Sequence, residues 1–212
     1  MVHGYLHDIS GWMKFRDSLQ KAELGPVYVP RLTHSSGDIR YSSEEIASVI
    51  NYVLRETGKD QVVLIGHSMG GIVASYCAQH YADEGTVKAV ITIGTPLQGT
   101  RLANLGFGKA SRQMSYNSPF LKSLTAQMNY NPKTEYFCLG STKDEAVKPY
   151  RNAFYKKPDD LVHFRLYDNV GHQSFLYDDD VINEVILMIH TLDNRRGGDH
   201  SEMLVWFRKP FG

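Results

Sequence analysis

Residues 61–85 hold the feature that most restricts the fold of this chain. The run QVVLIG is continuously apolar, which is typical of a β-strand covered on both faces of a sheet. The following run, MGGIVASYCAQHYADEG, predicts a helix that ends at Gly85. Between the two lies one polar side chain, Ser68, at the centre of GHSMG, residues 66–70. A strand that passes into a helix through a serine flanked by glycines requires a very tight turn.

The rest of the 212-residue chain alternates predicted strands with predicted helices. This alternation indicates βαβ crossovers and therefore the α/β class, with a mainly parallel central sheet flanked by helices. The length suits a single domain over residues 1–212. Further strands are predicted at 26–30, 87–94, 134–141 and 162–167, and further helices at 43–58 (with Ser43 as N-cap and Gly58 as the stop), at 119–128 and within 173–194.

The glycines around Ser68 predict a reactive serine. A side chain at Gly66 or Gly70 would collide with the adjoining strand or helix, and Gly71 extends this close packing. Ser68 would then project its hydroxyl at a helix N-terminus, where backbone N–H groups and the helix dipole favour developing negative charge. An N-cap serine is the alternative interpretation, but it does not explain glycine on both sides. The pattern therefore predicts a nucleophile.

A serine hydroxyl needs a base, and histidine is the natural one near neutral pH. His172 is favoured among the nine histidines because it follows the last predicted strand and precedes the last helix. Asp144 is predicted as the carboxylate that orients this histidine, because it also follows a predicted strand. The preceding inter-strand stretch, residues 86–133, contains no acidic residue at all. Glu145 and Asp168 are the alternatives to Asp144.

The segment GHSMGG resembles the nucleophile elbow of the α/β-hydrolase family, and its residue sequence is similar to the elbows of lipases and esterases. Two further segments, HG at residues 3–4 followed by Trp12 and TIGTPLQGT at 92–100, resemble the oxyanion loop and the Gly-Thr-Pro segment of bacterial lipases. GSTKDEAV at 140–147 and VGHQSFLY at 170–177 resemble the acid and histidine segments. The resemblance implies a compact α/β-hydrolase with Ser68, Asp144 and His172 as its catalytic triad.

An oxyanion hole is also implied by this resemblance. Its two donors are expected to be the backbone N–H groups of Met69, directly after the nucleophile, and of Tyr5, in the loop after the first strand. A simple strand-ending turn is the alternative interpretation of the HGY segment. The neighbouring residues expected to contact substrate are His3, Gly4 and His67.

A cap or lid is expected within residues 97–134, which separate two core strands. In its helix, Phe120, Leu121 and Leu124 share one apolar face, which either covers an acyl chain of the substrate or packs as in any buried helix. The segment carries basic residues and no acidic residue, so transient contact with an anionic membrane surface is one interpretation. A solvated face is the favoured role for these residues: Arg101, Lys109, Arg112, Lys122 and Lys133.

The predicted function is that of a serine hydrolase cleaving carboxylic esters, small-molecule or acyl-lipid, through an acyl-enzyme on Ser68. An acyltransferase with the same triad and a non-catalytic binding protein of this fold are the alternatives. Balanced charge, 23 basic against 23 acidic residues, gives no reason to expect a nucleic-acid partner. No cofactor and no metal are expected, because Cys77 and Cys138 lie in apolar runs without neighbouring ligands.

The sequence also gives expectations about location and about its two ends. No run approaches the ~18 apolar residues of a membrane span, and no signal peptide is visible, so the cytoplasm is the default expectation. Only Met1 and Val2 precede His3, so the first strand is either very short or begins upstream of this chain. The tail 197–212, which contains MLVWF, is interpreted as an edge strand, a partner-binding segment or the start of a further segment. The oligomeric state is not predicted.

Overall fold

A parallel sheet of four strands organises the molecule. The computed structural model describes residues 1–6, 9–130, 134–155 and 161–194, so the tail 197–212 lies outside the described residues. The strands lie side by side in chain order, and every neighbouring pair is parallel. They are β1 Val62–His67, β2 Val87–Ile93, β3 Glu135–Ser141 and β4 Val162–Tyr167. The predicted α/β class with a parallel sheet is therefore confirmed.

Helices connect these strands and cover the sheet. They are α1 Met13–Lys21, α2 Ile39–Thr57, α3 Met69–His80, α4 Gly108–Met114, α5 Pro119–Tyr130 and α6 Asp179–Asn194. Short 3₁₀ turns lie at Ile9–Trp12, Arg101–Leu105, Tyr150–Ala153 and Ser174–Leu176. None of the helices in the described residues is long and apolar enough to cross a membrane.

The two faces of the sheet carry separate hydrophobic clusters. Successive side chains of a strand point to opposite faces, so β3 sends Tyr136 and Cys138 to one side and Phe137 and Leu139 to the other. The first side is covered by α2, α3, α4 and α5, and the second by α1 and α6. Since α3 packs directly on β1 and β2, its first residue is held above the carboxyl end of β1. That junction holds Ser68.

Two of the sequence predictions are wrong in detail. Residues 26–30 form no strand but an irregular connection, and the Met1 α-amino group donates a hydrogen bond to the Tyr28 carbonyl at 2.5 Å. The first strand is very short, as one of the two expectations had it, and consists of a single parallel bridge between Val2 and Gly66. The helix after Ser68 ends at His80 rather than at Gly85. An alternating or apolar pattern alone does not reveal whether a neighbouring strand is present to pair with it.

The start of α2 also differs from the prediction, because Asp38 caps it instead of Ser43. The Asp38 side chain accepts from the Arg40 amide, whereas the Ser43 hydroxyl lies one turn inside the helix and donates to the Ile39 and Val73 carbonyls. The end at Gly58 is as predicted, with the glycine in the left-handed conformation at φ 64°. A serine within the first turns of a helix resembles a cap in sequence alone.

Asp38 also joins α2 to α4. Its carboxylate accepts from the Gln113 side-chain amide at 2.6 Å and lies 2.7 Å from the Lys109 ammonium group. Burial of Asp38 (7% exposed) tends to raise its pKa, but the hydrogen bonds from Lys109, Gln113 and the Arg40 amide lower that pKa to about 2. The ionised carboxylate is therefore strongly favoured in the folded state.

We expect Asp38→Asn to reduce the free energy of unfolding by about 2 kcal/mol near pH 6, the value that corresponds to the lowered pKa. Asn still caps a helix, so the change isolates the charge. Because the folded-state pKa is lowered, the stabilisation is complete above the unfolded pKa of 3.8 and disappears as the pH falls towards 2.

Urea unfolding of both proteins between pH 6 and pH 2.5 measures this difference. A stability difference that stays constant below pH 4 would contradict an ionic role for Asp38.

Candidate active site

Ser68 forms a strained turn between β1 and α3. Its backbone has φ 55° and ψ −127°, values that L-residues rarely adopt. Such a conformation costs on the order of 1–3 kcal/mol and persists only where the surroundings hold it. The Ser68 amide donates to the Ile93 carbonyl at the end of β2, at 2.9 Å. The side chain is only partly buried, so the hydroxyl is accessible at the carboxyl edge of the sheet.

The three glycines around Ser68 are required by close contacts. A Cβ atom at Gly66 would lie 2.4 Å from the Gly70 carbonyl oxygen, and one at Gly70 would lie 2.1 Å from the carbonyl oxygen of Val2. At Gly71 a Cβ would lie 2.0 Å from the hydroxyl of Thr95. The predicted collisions at all three glycines are therefore confirmed. The absence of side chains at these glycines allows β1, α3 and the segment at Val2 to approach each other closely enough to make the turn.

Ser68, His172 and Asp144 form one continuous hydrogen-bonded path. The imidazole Nδ1 of His172 lies 3.0 Å from Oδ2 of Asp144, and its Nε2 lies 3.0 Å from Oγ of Ser68. An ionised carboxylate can only accept, so Nδ1 carries the proton and Nε2 is free to accept from the serine hydroxyl. The structure thus brings together the three residues that the sequence predicted as a triad. Their catalytic role itself stays a prediction.

Asp144 is buried and held in its ionised form. Its Oδ1 accepts from the amides of Ala146 and Val147, both at 2.8 Å, while Oδ2 faces His172. Burial tends to raise the Asp144 pKa, but the hydrogen bond and charge of His172 and the two amides together lower it. The carboxylate is therefore available to orient the imidazole across the neutral pH range.

The backbone of His172 is held by two further side chains. Oε2 of Glu145 accepts from the His172 amide at 3.0 Å, and Nε2 of His67 donates to the His172 carbonyl at 2.9 Å. Glu145, the close alternative to Asp144, therefore contacts the histidine loop but not the imidazole nitrogen. The other alternative, Asp168, is exposed, and its carbonyl oxygen accepts from the Thr142 hydroxyl.

Sequence reasoning missed both backbone contacts of His172. A side chain that fixes a remote backbone group leaves no periodic signal, and the adjacency of Glu145 to Asp144 is only a hint. His67 was expected to contact substrate, but its ring is buried and its Nε2 faces the histidine loop. We therefore assign His67 a positioning role.

The Val2–Gly4 segment lies directly against the serine. A Cβ atom at Gly4 would lie 3.1 Å from Cβ of Ser68 and 3.6 Å from its Oγ, so this glycine allows the loop to approach the nucleophile. The buried His3 ring accepts from the Leu32 amide at its Nε2, which leaves Nδ1 to donate to the Gly4 carbonyl. His3 therefore supports the loop from behind.

The predicted oxyanion donors belong to this neighbourhood. Tyr5 follows Gly4 directly, and Met69 is the first residue of α3. The first amides of a helix have no carbonyl partner within it, so they are free for a ligand.

The cap helix packs into the core. Phe120, Leu121 and Leu124 on α5 belong to the cluster on the α3 side of the sheet, and none is more than 9% exposed. Phe120 stacks on Tyr76 of α3, with ring centroids 5.3 Å apart. The expectation that these three residues contact substrate is not supported by this packing, and the ordinary buried helix is the better interpretation.

The basic residues of the cap segment differ in their surroundings. Lys109 pairs with Asp38, a partner that the segment's own sequence does not contain. Arg101, Arg112 and Lys122 are exposed, and Lys133 lies outside the described residues. Within the described part of the chain, no group of three or more His, Cys, Asp or Glu side chains is arranged to hold a metal ion.

Comparison with known families identifies the family of this chain. A family model described as the alpha/beta hydrolase fold matches residues 1–135, which is more than half of the chain. The chain therefore belongs to the α/β-hydrolase family.

Particular relatives are lipases. The chain is 31% identical over 112 residues to triacylglycerol lipases of Pseudarthrobacter phenanthrenivorans and Burkholderia plantarii. These matches cover 49% of this chain but only 34% and 30% of the two lipases, so the chain spans about a third of their length.

Among solved structures, the mature lipase BlEst2 of Bacillus licheniformis superposes with a TM-score of 0.71 at 21% identity, covering 89% of each chain. Lipase B of Aspergillus fumigatus superposes with a TM-score of 0.72 at 19% identity, covering 87% of this chain and 50% of that one. At these identities the two structures show a shared fold.

Gly94 offers a test of the triad geometry. It has φ 52°, and a Cβ atom there would lie 3.1 Å from Oδ2 of Asp144 and from the Phe175 ring. We expect Gly94→Ala to displace the carboxylate and to slow the reaction of Ser68 with an alkyl fluorophosphonate about tenfold, since small misplacements are costly at such sites.

Gly58→Ala is the matched control. Gly58 has φ 64°, but a Cβ there would meet no atom within 4 Å. Both variants should lose about 1–2 kcal/mol of stability through the left-handed backbone, measured by urea unfolding. Equal labelling rates in the two variants would be inconsistent with the proposed contact between residue 94 and Asp144.

Proposed function

We propose that this chain is a serine hydrolase that cleaves carboxylic esters through an acyl-enzyme on Ser68. The observation that carries the proposal is the hydrogen-bonded path from Ser68 through His172 to Asp144, with 3.0 Å at each step. The path begins at a partly exposed hydroxyl on a strained turn, which is where nucleophilic attack requires it. Lipase relatives in the same family add support.

The first half of the reaction forms the acyl-enzyme. Nε2 of His172 takes the proton of the Ser68 hydroxyl as its oxygen attacks the ester carbonyl carbon. Asp144 keeps the proton on Nδ1 and stabilises the imidazolium that forms. The negative charge on the carbonyl oxygen is met by the backbone N–H groups of Met69 and Tyr5. The imidazolium then gives its proton to the departing alcohol.

The second half releases the acid. A water molecule takes the place of the alcohol and gives a proton to His172 as it attacks the acyl carbon. The tetrahedral intermediate again places its charge at the same amides, and Ser68 leaves with the proton from Nε2. The strained backbone of Ser68 holds its oxygen in one place through both halves.

Acyl lipids are the substrate class we propose. The cap segment, residues 97–134 and described to residue 130, presents exposed apolar side chains next to the Tyr5 loop, with Leu105 83% and Phe107 63% exposed. Exposed arginine and lysine residues accompany them on the same segment. Exposed apolar side chains and exposed cations on one segment suit contact with an anionic lipid interface. The relatives named triacylglycerol lipases agree with this choice.

Hydrolysis of p-nitrophenyl esters of increasing chain length tests the proposed activity. We expect Ser68→Ala to abolish both turnover and fluorophosphonate labelling, because the hydroxyl is the attacking group. Asp144→Asn should lower kcat by roughly 10⁴-fold through the wrong histidine tautomer. Glu145→Gln retains an acceptor for the His172 amide and should lose less than about tenfold.

The outcomes separate the competing functions. A protein that the fluorophosphonate labels at Ser68, but whose acyl-enzyme transfers its acyl group mainly to an added alcohol, is an acyltransferase. Turnover or labelling that survives in Ser68→Ala would falsify the assignment of the nucleophile. A larger loss in Glu145→Gln than in Asp144→Asn would move the orienting role to Glu145.

Vesicle binding tests the lipid interface. We expect wild-type protein to sediment with anionic phosphatidylglycerol vesicles, and replacement of three exposed cap cations by glutamine to weaken this binding at least about tenfold, since each cation near such a surface contributes about 1 kcal/mol. The changes are Arg101→Gln, Arg112→Gln and Lys122→Gln.

A control with the same change in net charge separates position from charge. It removes three exposed cations outside the cap segment: Lys21→Gln, Arg55→Gln and Lys59→Gln. Equal weakening by both triple variants would mean that net charge, and not the cap surface, governs the binding.

A further inference from the structure

The side chain of Tyr5 connects the loop beside Ser68 to the cap segment. Its hydroxyl donates to the Phe107 carbonyl at 2.6 Å and accepts from the Phe107 amide at 3.0 Å. The two rings also meet edge to face, with centroids 6.0 Å apart. One phenol thus satisfies both backbone groups of a residue that is 102 positions away in the chain.

The backbone of the same residue belongs to the proposed oxyanion hole. Gly4, directly before it, lies against the serine side chain, and the His3 ring supports that side of the loop. On the other side follows Leu6, which is exposed and has φ 55°. The contacts of the Tyr5 side chain with Phe107 therefore restrain the loop on the downstream side of Gly4.

Phe107 is itself held by the body of the protein. It caps α4, and the next residue, Gly108, packs so closely that a Cβ atom there would lie 2.2 Å from the Ser36 carbonyl oxygen. The Ala110 amide donates to the same carbonyl, and Lys109 pairs with Asp38. The start of α4 is thus anchored on the turn before α2, and Phe107 carries that anchored position to Tyr5.

We infer that the Tyr5 hydroxyl makes Tyr5 a positioning residue, through which the docked cap segment sets the orientation of the Tyr5 backbone N–H towards the oxyanion. The inference rests on the proposed function. According to the inference, the Tyr5 side chain, which lies outside the triad, couples the position of the cap segment to the stabilisation of the transition state. When the start of α4 moves from the turn at residues 36–38, the Tyr5 amide moves with it.

Tyr5→Phe removes one oxygen and keeps the ring. Because the oxyanion forms only in the transition state, we expect kcat for p-nitrophenyl butyrate to fall about tenfold with KM changed less than about twofold. A complete oxyanion donor accounts for roughly 10²–10³ in kcat, and a misaligned donor retains part of that effect. Affinity for a boronic acid that mimics the tetrahedral state should fall by a similar factor.

Tyr116→Phe is the matched control. Tyr116 is an exposed tyrosine of the same cap segment, and its loss of a hydroxyl should leave kcat unchanged. All rates are normalised to active sites titrated with a fluorophosphonate, so that loss of folded protein does not count as loss of kcat. The inference is overturned if kcat falls by a similar factor in both variants. It is also overturned if Tyr5→Phe leaves kcat unchanged or changes KM alone.

The coupling to the cap is measured with a double-mutant cycle. Lys109→Met loosens the anchor of α4 and should lower kcat two- to threefold in the wild-type background. In the Tyr5→Phe background the same change should have no effect, because the link is already broken. Fully additive losses overturn the coupling. These outcomes are distinct from a failure of the proposed function, in which wild-type protein shows no turnover or Ser68→Ala retains it.

Discussion

The close approach of α3 to the strands beneath it is the constraint on which the proposed site depends. At Gly66, Gly70 and Gly71 any side chain would overlap with backbone atoms or with Thr95. In this close junction Ser68 has a strained backbone with φ 55°, a conformation that L-residues rarely adopt. Packing on both faces of the sheet supplies the free energy that holds this strained residue in place.

Once the turn is fixed, the parallel sheet brings the other groups to it. Loops after β3 and β4 meet at the same edge as the loop after β1, which places Asp144 and His172 beside Ser68. Loops are the least constrained parts of a fold, and here side chains fix their backbones. Glu145 holds the His172 amide, His67 its carbonyl, and two amides hold the Asp144 carboxylate. The loop geometry thus follows from hydrogen bonds to named atoms.

Features of the fold and of the site were predictable from the sequence when they depend on residues close together in the chain. The proximity of Ser68, Asp144 and His172 was predictable because each follows a strand, and the ends of parallel strands meet at one edge of the sheet. The strand expected at residues 26–30 is absent because pairing depends on a neighbouring strand that is distant in sequence. The cap expected at Ser43 is wrong because Asp38, five residues earlier, caps the helix through the nearby Arg40 amide.

The apolar face of α5 was visible in the sequence, but its burial against α3 was not, since periodicity shows that a face is apolar without showing what covers it. The contacts of Asp38 and Tyr5 with the cap segment span 75 and 102 residues and leave no local signal in the sequence.

The central claim is that Ser68 attacks an acyl carbon while the amides of Met69 and Tyr5 receive the oxyanion. A crystal structure of the protein after reaction with an alkyl fluorophosphonate tests it most directly. We expect phosphorus bonded to Oγ of Ser68, one phosphoryl oxygen within about 3 Å of both amide nitrogens, and Nε2 of His172 close to the leaving-group side. Phosphorus on another residue, or a phosphoryl oxygen turned away from both amides, would contradict the account.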